Sequence, residues 1–196
     1  MDLLSGRNGH FQLESGHHGE LWLDLDTLFL RPARLAPFID DLAHRLAAAV
    51  GPDAVCGPLL GGGLIASVVA TTLDLELYVA EPVARAGGGG ELFRARYGVP
   101  EATRDRLRGR RVSVVDDVMN AASAVRATVN DLRSAGADVV AIGALLVLGS
   151  SAGEYADHER FELVHVAAAE NRIWEPRACP LCAAGQPLED LRRIAS

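Results

Sequence analysis

Two adjacent carboxylates at the end of an apolar run, Asp116 and Asp117 after Val112, Val114 and Val115, are the residues of this chain best placed to do chemistry. The run predicts a parallel-sheet strand, so the acids emerge at its carboxyl end, where open α/β sheets bind ligands. The turn that follows, Asn120, Ala121, Ala122, Ser123 and Ala124, has only small side chains and leads into the helical stretch Val125 to Val129. Backbone N–H groups at such a helix start cradle phosphates. Carboxylates for sugar hydroxyls or a metal, followed by a phosphate-binding turn, point to a sugar phosphate. An ordinary strand-to-helix connection with a capping aspartate has the same outline, so other residues must decide.

Three more segments bear on that choice. Cys56 is followed by Gly57, Pro58, Leu59, Leu60, Gly61 and Gly62, a permissive loop between a predicted strand and a predicted helix. Near the start stand Gly9, His10, Phe11, Gln12, Leu13, Glu14, Ser15, Gly16, His17, His18 and Gly19. Between the strand Leu75 to Val79 and the acidic pair lies 84–109, with four consecutive glycines and many arginines, a composition with a high ordering entropy.

With these residues in view, the stretch 112–124 resembles the phosphoribosyl-diphosphate (PRPP) motif of the type I phosphoribosyltransferases, matching in its strand and acids and departing in its alanine-rich turn. The Gly57 to Gly62 loop resembles the diphosphate-binding loop of the orotate-type members, with Gly61 where they carry a lysine, and 9–19 resembles their amino-terminal signature. The ordered matches cover roughly 5–150. The resemblance implies an enzyme that moves the 5-phosphoribosyl group from PRPP to a nitrogenous base, orotate or similar, releasing diphosphate with Mg²⁺. It implies that Asp116 and Asp117 hold ribose hydroxyls or metal-bound water. Asn120, Ala121, Ala122, Ser123 and Ala124 would take the 5-phosphate, and Gly57, Pro58, Leu59, Leu60, Gly61 and Gly62 the diphosphate. Phe11, Ser15, Gly16 and His17 would form part of a hood over the base. Arg85, Arg94, Arg96 and Arg104 are the cations available to a lid over 84–109. The alanine-rich turn and the lysine-free lid leave a second reading, a non-catalytic PRPP or nucleotide sensor of the same fold.

The carboxyl-terminal segment carries different chemistry. Cys179, Pro180, Leu181 and Cys182, followed by Gly185, form a knuckle whose thiolates can face one zinc ion. Two further ligands are needed, from His165, His158, His17 or a second subunit; a turn with two free thiols is the alternative.

Composition narrows the classes. A formal net charge of −7 argues against a nucleic-acid or membrane-surface binder, which needs a basic footprint. All 19 basic residues are arginine, so anions must be held by arginine and backbone N–H groups. Three cysteines are too few for a disulfide framework, and the start of the chain has no basic region followed by an apolar one, so a cytoplasmic location is expected.

The elements that must position these residues follow from periodicity. Alternation at Phe11 to Leu13 and Leu21 to Leu25 predicts two short strands, and Leu35, Phe38, Ile39, Leu42 and Leu46 predict an amphipathic helix opened by Pro32. Strands at 54–56, 75–79, 112–115 and 139–148 alternate with helices at 64–73 and up to about Ser134. The expected fold is therefore α/β, a central, mostly parallel sheet flanked by helices, and the resemblance implies that it is the type I phosphoribosyltransferase fold. The expected division is hood strands over 1–30, a core over 31–165 and a cysteine-bearing tail over 166–196. A homodimer is implied by the resemblance.

Overall fold

The computed structural model describes residues 6–13, 16–25, 27–83 and 97–190. They form two compact units, one from the described residues up to 35 and from 170 onward, the other from those between 36 and 169.

In the first unit, β1 (Gly6–Gln12) and β2 (His18–Leu23) form an antiparallel hairpin. Gln12 pairs with His18, and strand alternation puts His10 on the same face as Gln12, so His10 and His18 are diagonal neighbours. The tail supplies both flanking strands: β9 (Ile173–Trp174) pairs with β2, β10 (Glu189–Asp190) with β1, and the order is β10-β1-β2-β9. Arg7 clasps the Glu189 carboxylate (2.7 and 3.2 Å) and lies over the ring of Phe11, which is fully buried.

The second unit holds a six-stranded sheet. Helix α1 (Pro32–Ala49) buries Ile39, Leu42 and Leu46, and leads through a turn at Gly51 (φ 53°) into β3 (Ala54–Pro58). Then come α2 (Gly61–Leu73), β4 (Glu76–Pro82), β5 (Tyr97–Gly98), the short helix α3 (Glu101–Arg104), β6 (Arg111–Met119), α4 (Ser123–Ser134), β7 (Asp138–Leu148), α5 (Ser151–Glu159) and β8 (Glu162–Ala169). The order is β5-β4-β3-β6-β7-β8, with every pair parallel except the short antiparallel β4–β5 contact.

Alternate residues serve the two faces of this sheet. Ala54, Cys56, Val112, Val114 and Ile142 pack with Val125, Val129 and Leu132 of α4. On the other face, a Cβ at Gly143 would lie 3.3 Å from Val115, 3.4 Å from Leu42 and 3.5 Å from Leu46, so Gly143 lets α1 approach closely. A fully buried valine here contributes about 1.5–3 kcal/mol, which is why the strand runs are apolar on both faces. The helix after Gly57 starts at Gly61, not Leu64, so the glycines form its first turn. Of 84–109, residues 97–107 are folded into β5, α3 and a 3-10 turn, while 84–96 lie outside the described residues. Among the described residues no helix is long and apolar enough to cross a membrane.

Candidate active site

The strand order reverses between β3 and β6. From β3 the chain crosses to β4 on one side, and from β6 to β7 on the other, so the carboxyl ends of these adjacent strands flank a topological switch point, the usual ligand crevice of an open α/β sheet. Both sugar-phosphate motifs end there. β3 delivers Gly57 and Pro58 to the start of α2, and β6 delivers Asp116 and Asp117 toward the start of α4.

The two segments touch. A Cβ at Gly61 would sit 2.6 Å from Asp117 Cγ, and one at Gly62 would meet Val115 O at 2.8 Å and Asp116 Oδ1 at 2.9 Å. At Gly57 a Cβ would strike the Gly62 carbonyl. Glycine is required because carboxylates and backbone occupy the space a side chain would fill. The loop is tied to the sheet by Leu59 N–H donating to Ala80 O (2.9 Å), its Leu59–Leu60 peptide bond is cis, and Leu60 is 69% exposed.

The acids are held by their own backbone. Asp117 N–H donates to Asp116 Oδ1 (3.0 Å) and Val118 N–H to Asp117 Oδ1 (2.8 Å). Burial pushes the Asp117 carboxyl above its ordinary value, and the Val118 N–H bond only partly offsets this. A carboxylate that burial makes costlier to ionise gains from a sugar hydroxyl or a cation brought to it.

Beyond Met119 the chain passes Asn120 and Ala121 to Ala122, which is left-handed (φ 55°, ψ 27°) and caps α4 with no side-chain hydrogen bond. The first N–H groups of a helix have no intrahelical partner, and here no side chain caps them. A left-handed alanine costs roughly 1–2 kcal/mol, a strain of the kind found where backbone geometry serves a ligand.

Other expected site residues are placed differently. Gly16 (φ 82°) and His17 lie in the β1–β2 turn, closed by Leu13 N–H to His17 O (2.8 Å); Phe11 is in that unit's core. Ser15, Arg85, Arg94 and Arg96 lie outside the described residues. Arg104 is not a free lid cation: its Nη1 donates to both Asp131 oxygens at 2.9 Å, and Asp131 also accepts from Val99 N–H (2.9 Å), fastening this segment to α4.

The tail cysteines do not draw on His165, His158 or His17. His158 on α5 pairs with Glu159 (3.0 Å), and His165 lies on β8, both in the other unit. The residues that converge on Cys179 and Cys182 are His10 and His18, with the four ligand atoms all within 4.8 Å of one another. In the sequence, His10 stands out only as part of the amino-terminal signature. The usable signal was the hairpin alternation that puts His10 and His18 on one face. Cys56, the third thiol, is buried and pushed up to about 12, so it is chemically inert.

An α/β sheet with a glycine loop and paired acids at its switch point has the outline of enzymes that bind activated sugar phosphates. Residues 34–177 match the Phosphoribosyl transferase domain family. The chain is 30% identical to the orotate phosphoribosyltransferase of Thermotoga maritima, over 92% of this chain and 88% of that one, and 30% identical to that of Thermus thermophilus, over 93% and 92%. Among solved structures, the orotate phosphoribosyltransferase of Aeropyrum pernix superposes with a TM-score of 0.62 at 28% identity, covering 82% of this chain and 86% of the other. The chain belongs to the phosphoribosyltransferase family.

Proposed function

We propose that this protein transfers the 5-phosphoribosyl group from PRPP to orotate and releases diphosphate. The observation that carries this reading is the meeting of the Gly57 to Gly62 loop with Asp116 and Asp117 at the β3/β6 switch point, in a chain whose relatives bear that activity in their names. The comparisons lend no support to a non-catalytic sensor.

Asp116 and Asp117 accept hydrogen bonds from the ribose hydroxyls, which fixes the sugar and lowers the cost of ionising Asp117. The N–H groups following Ala122 receive the 5-phosphate, and the small side chains of Ala121, Ser123 and Ala124, with Asn120 before them, leave room for it to approach the backbone donors. Gly57 to Gly62 brings bare backbone to the diphosphate. The C1–O bond to diphosphate breaks with its electron pair leaving on the diphosphate. A bond from the base nitrogen to C1 replaces it, and that nitrogen's proton passes to water. Positive charge develops on the sugar, and carboxylates held near it stabilise that charge.

Mg²⁺ fits this donor set, since it takes oxygen ligands from carboxylates and substrate phosphates, and Asp116 and Asp117 are the residues that would hold it or its waters. When bound it neutralises charge on the departing diphosphate. Ser15, Gly16 and His17 are assigned to the base side, with Phe11 supporting their hairpin from the core, and Arg85, Arg94 and Arg96 to a lid. A homodimer in the cytoplasm is the expected setting, checked by light scattering for the assembly.

The test is PRPP-dependent consumption of orotate with Mg²⁺ present, beside a panel of other bases. Stoichiometric diphosphate release with orotate is the expected result; release with another base alone would reassign the acceptor, and PRPP binding without any turnover would refute catalysis.

A further inference from the structure

The first unit is small and has little apolar core. Among its described residues the buried apolar side chains are Phe11, Leu28 and Leu35, together with Cys179, whereas the imidazoles of His10 (1% exposed) and His18 (5%) are buried beside them. Small units that lack a sufficient core need a staple such as a disulfide or a metal.

The distances identify the staple. His10 Nε2 lies 3.2 Å from His18 Nδ1, 3.4 Å from Cys179 Sγ and 3.7 Å from Cys182 Sγ, and Cys182 Sγ lies 3.3 Å from His18 Nδ1. A tetrahedron with metal–nitrogen bonds of about 2.05 Å and metal–sulfur bonds of about 2.3 Å has edges of about 3.3 Å between nitrogens and about 3.6 Å between nitrogen and sulfur. The four contacts reproduce those edges. A disulfide between the cysteines would account for two of the four atoms and leave the imidazole nitrogens turned toward them unexplained.

A neighbouring group sets the tautomer. The carbonyl of Gln186, 2.9 Å from His10 Nδ1, can only accept, so Nδ1 carries the hydrogen and the Nε2 lone pair faces the cluster, the arrangement in which a metal-bound histidine is oriented by an outer carbonyl. The knuckle is shaped for the same task. Ala183 N–H bonds Cys179 O (3.2 Å), Gly185 N–H bonds Cys182 O (2.9 Å), and Gly185 takes a left-handed φ of 70°. Two thiolates and two imidazoles in a tetrahedron select Zn²⁺.

We propose that His10, His18, Cys179 and Cys182 bind one structural Zn²⁺, which pins the tail to the hairpin and fixes the turn between the two histidines. That turn carries Gly16 and His17, and Leu13 N–H closes it on His17 O. The metal site stands independently of the functional reading above.

Metal analysis of protein purified under reducing conditions without added metal should find one zinc per chain, and Co²⁺ exchange should give the visible bands of a tetrahedral thiolate site. Cys182→Ser should lose both; if that variant does not fold, thiol alkylation of the wild type decides, with Cys179 and Cys182 shielded until a zinc chelator is added. Metal-free, fully reactive thiols and no thiolate-to-cobalt band would overturn the site. Stripping zinc with a chelator should lower the thermal midpoint by about 5 °C or more, restored by adding Zn²⁺ back. An unchanged midpoint would overturn the structural role. Zinc in a protein that never turns over orotate would sink the functional reading and leave the site standing.

Discussion

The two units place their reactive groups by opposite means. At the β3/β6 switch point, glycines bring bare backbone against two carboxylates, and a left-handed alanine with no side-chain cap starts the neighbouring helix. In the smaller unit, side chains do the work: two imidazoles from a hairpin meet two thiols from a tail more than 160 residues away. A backbone cradle tolerates no added atom but needs no side-chain donor, which is how, on the proposed reading, a chain without lysine would receive a diphosphate. A side-chain cluster behaves in reverse: a methyl group added in the connecting turn at Gly16 meets nothing within 4 Å, whereas each ligand is indispensable to the proposed ion.

The sharpest way to break this contrast is to add one methyl group to each unit. Gly62→Ala places a Cβ 2.8 Å from Val115 O and 2.9 Å from Asp116 Oδ1, so the loop must move, and kcat/KM for PRPP should fall by about a hundredfold or more. Gly16→Ala meets nothing within 4 Å and suffers only its φ of 82°, a cost of about 1 kcal/mol read in thermal unfolding, with PRPP kinetics unchanged. Equal effects would erase the distinction.

Asp117→Asn tests the acids. The native carboxyl is raised by burial, so its ionisation opposes folding: stability falls as pH rises from the ordinary aspartate range through the raised value, then stays level. The variant lacks that loss, so without ligand it should melt higher than wild type at neutral pH, the gap closing in acid. PRPP affinity should be lower in the variant by about tenfold or more, and in wild type alone it should weaken as acid protonates Asp117. A variant less stable at neutral pH would show that burial does not penalise this group.

Smaller effects follow at the supports. Asp131→Ala removes the partners of Arg104 and of Val99 N–H, and should cost about 1–2 kcal/mol, a few degrees in Tm. Arg7→Ala breaks a pair that is about half exposed (47% and 44%) and should change stability by less than about 1 kcal/mol in thermal melts, salt reducing the difference.

What the sequence disclosed follows from how local each determinant is. The β6 strand, its acids and the turn into α4 are contiguous, and burial on both faces leaves an unmistakable valine run, so their positions were readable. The start of α2 at Gly61 was not, because glycine has poor helix propensity and its place in the first turn is imposed by Asp117 lying against it. The order of 97–107 depends on Asp131, far along the chain. His10 and His18 escaped as ligands because β-pairing, not spacing, joins them to the tail. The strand β8 shows no period-2 pattern, since Leu163 and Val164 are adjacent and small alanines end it, so its place beside β7 is set by pairing.

The central claim is that Asp116 and Asp117 at the β3/β6 switch point hold the ribose of PRPP. Calorimetric titration of PRPP with Mg²⁺ into the wild type and the Asp116→Asn, Asp117→Asn double variant tests it directly. The account predicts saturable binding to the wild type and at least about hundredfold weaker binding to a variant that remains folded. Equal affinities would contradict it and place PRPP elsewhere.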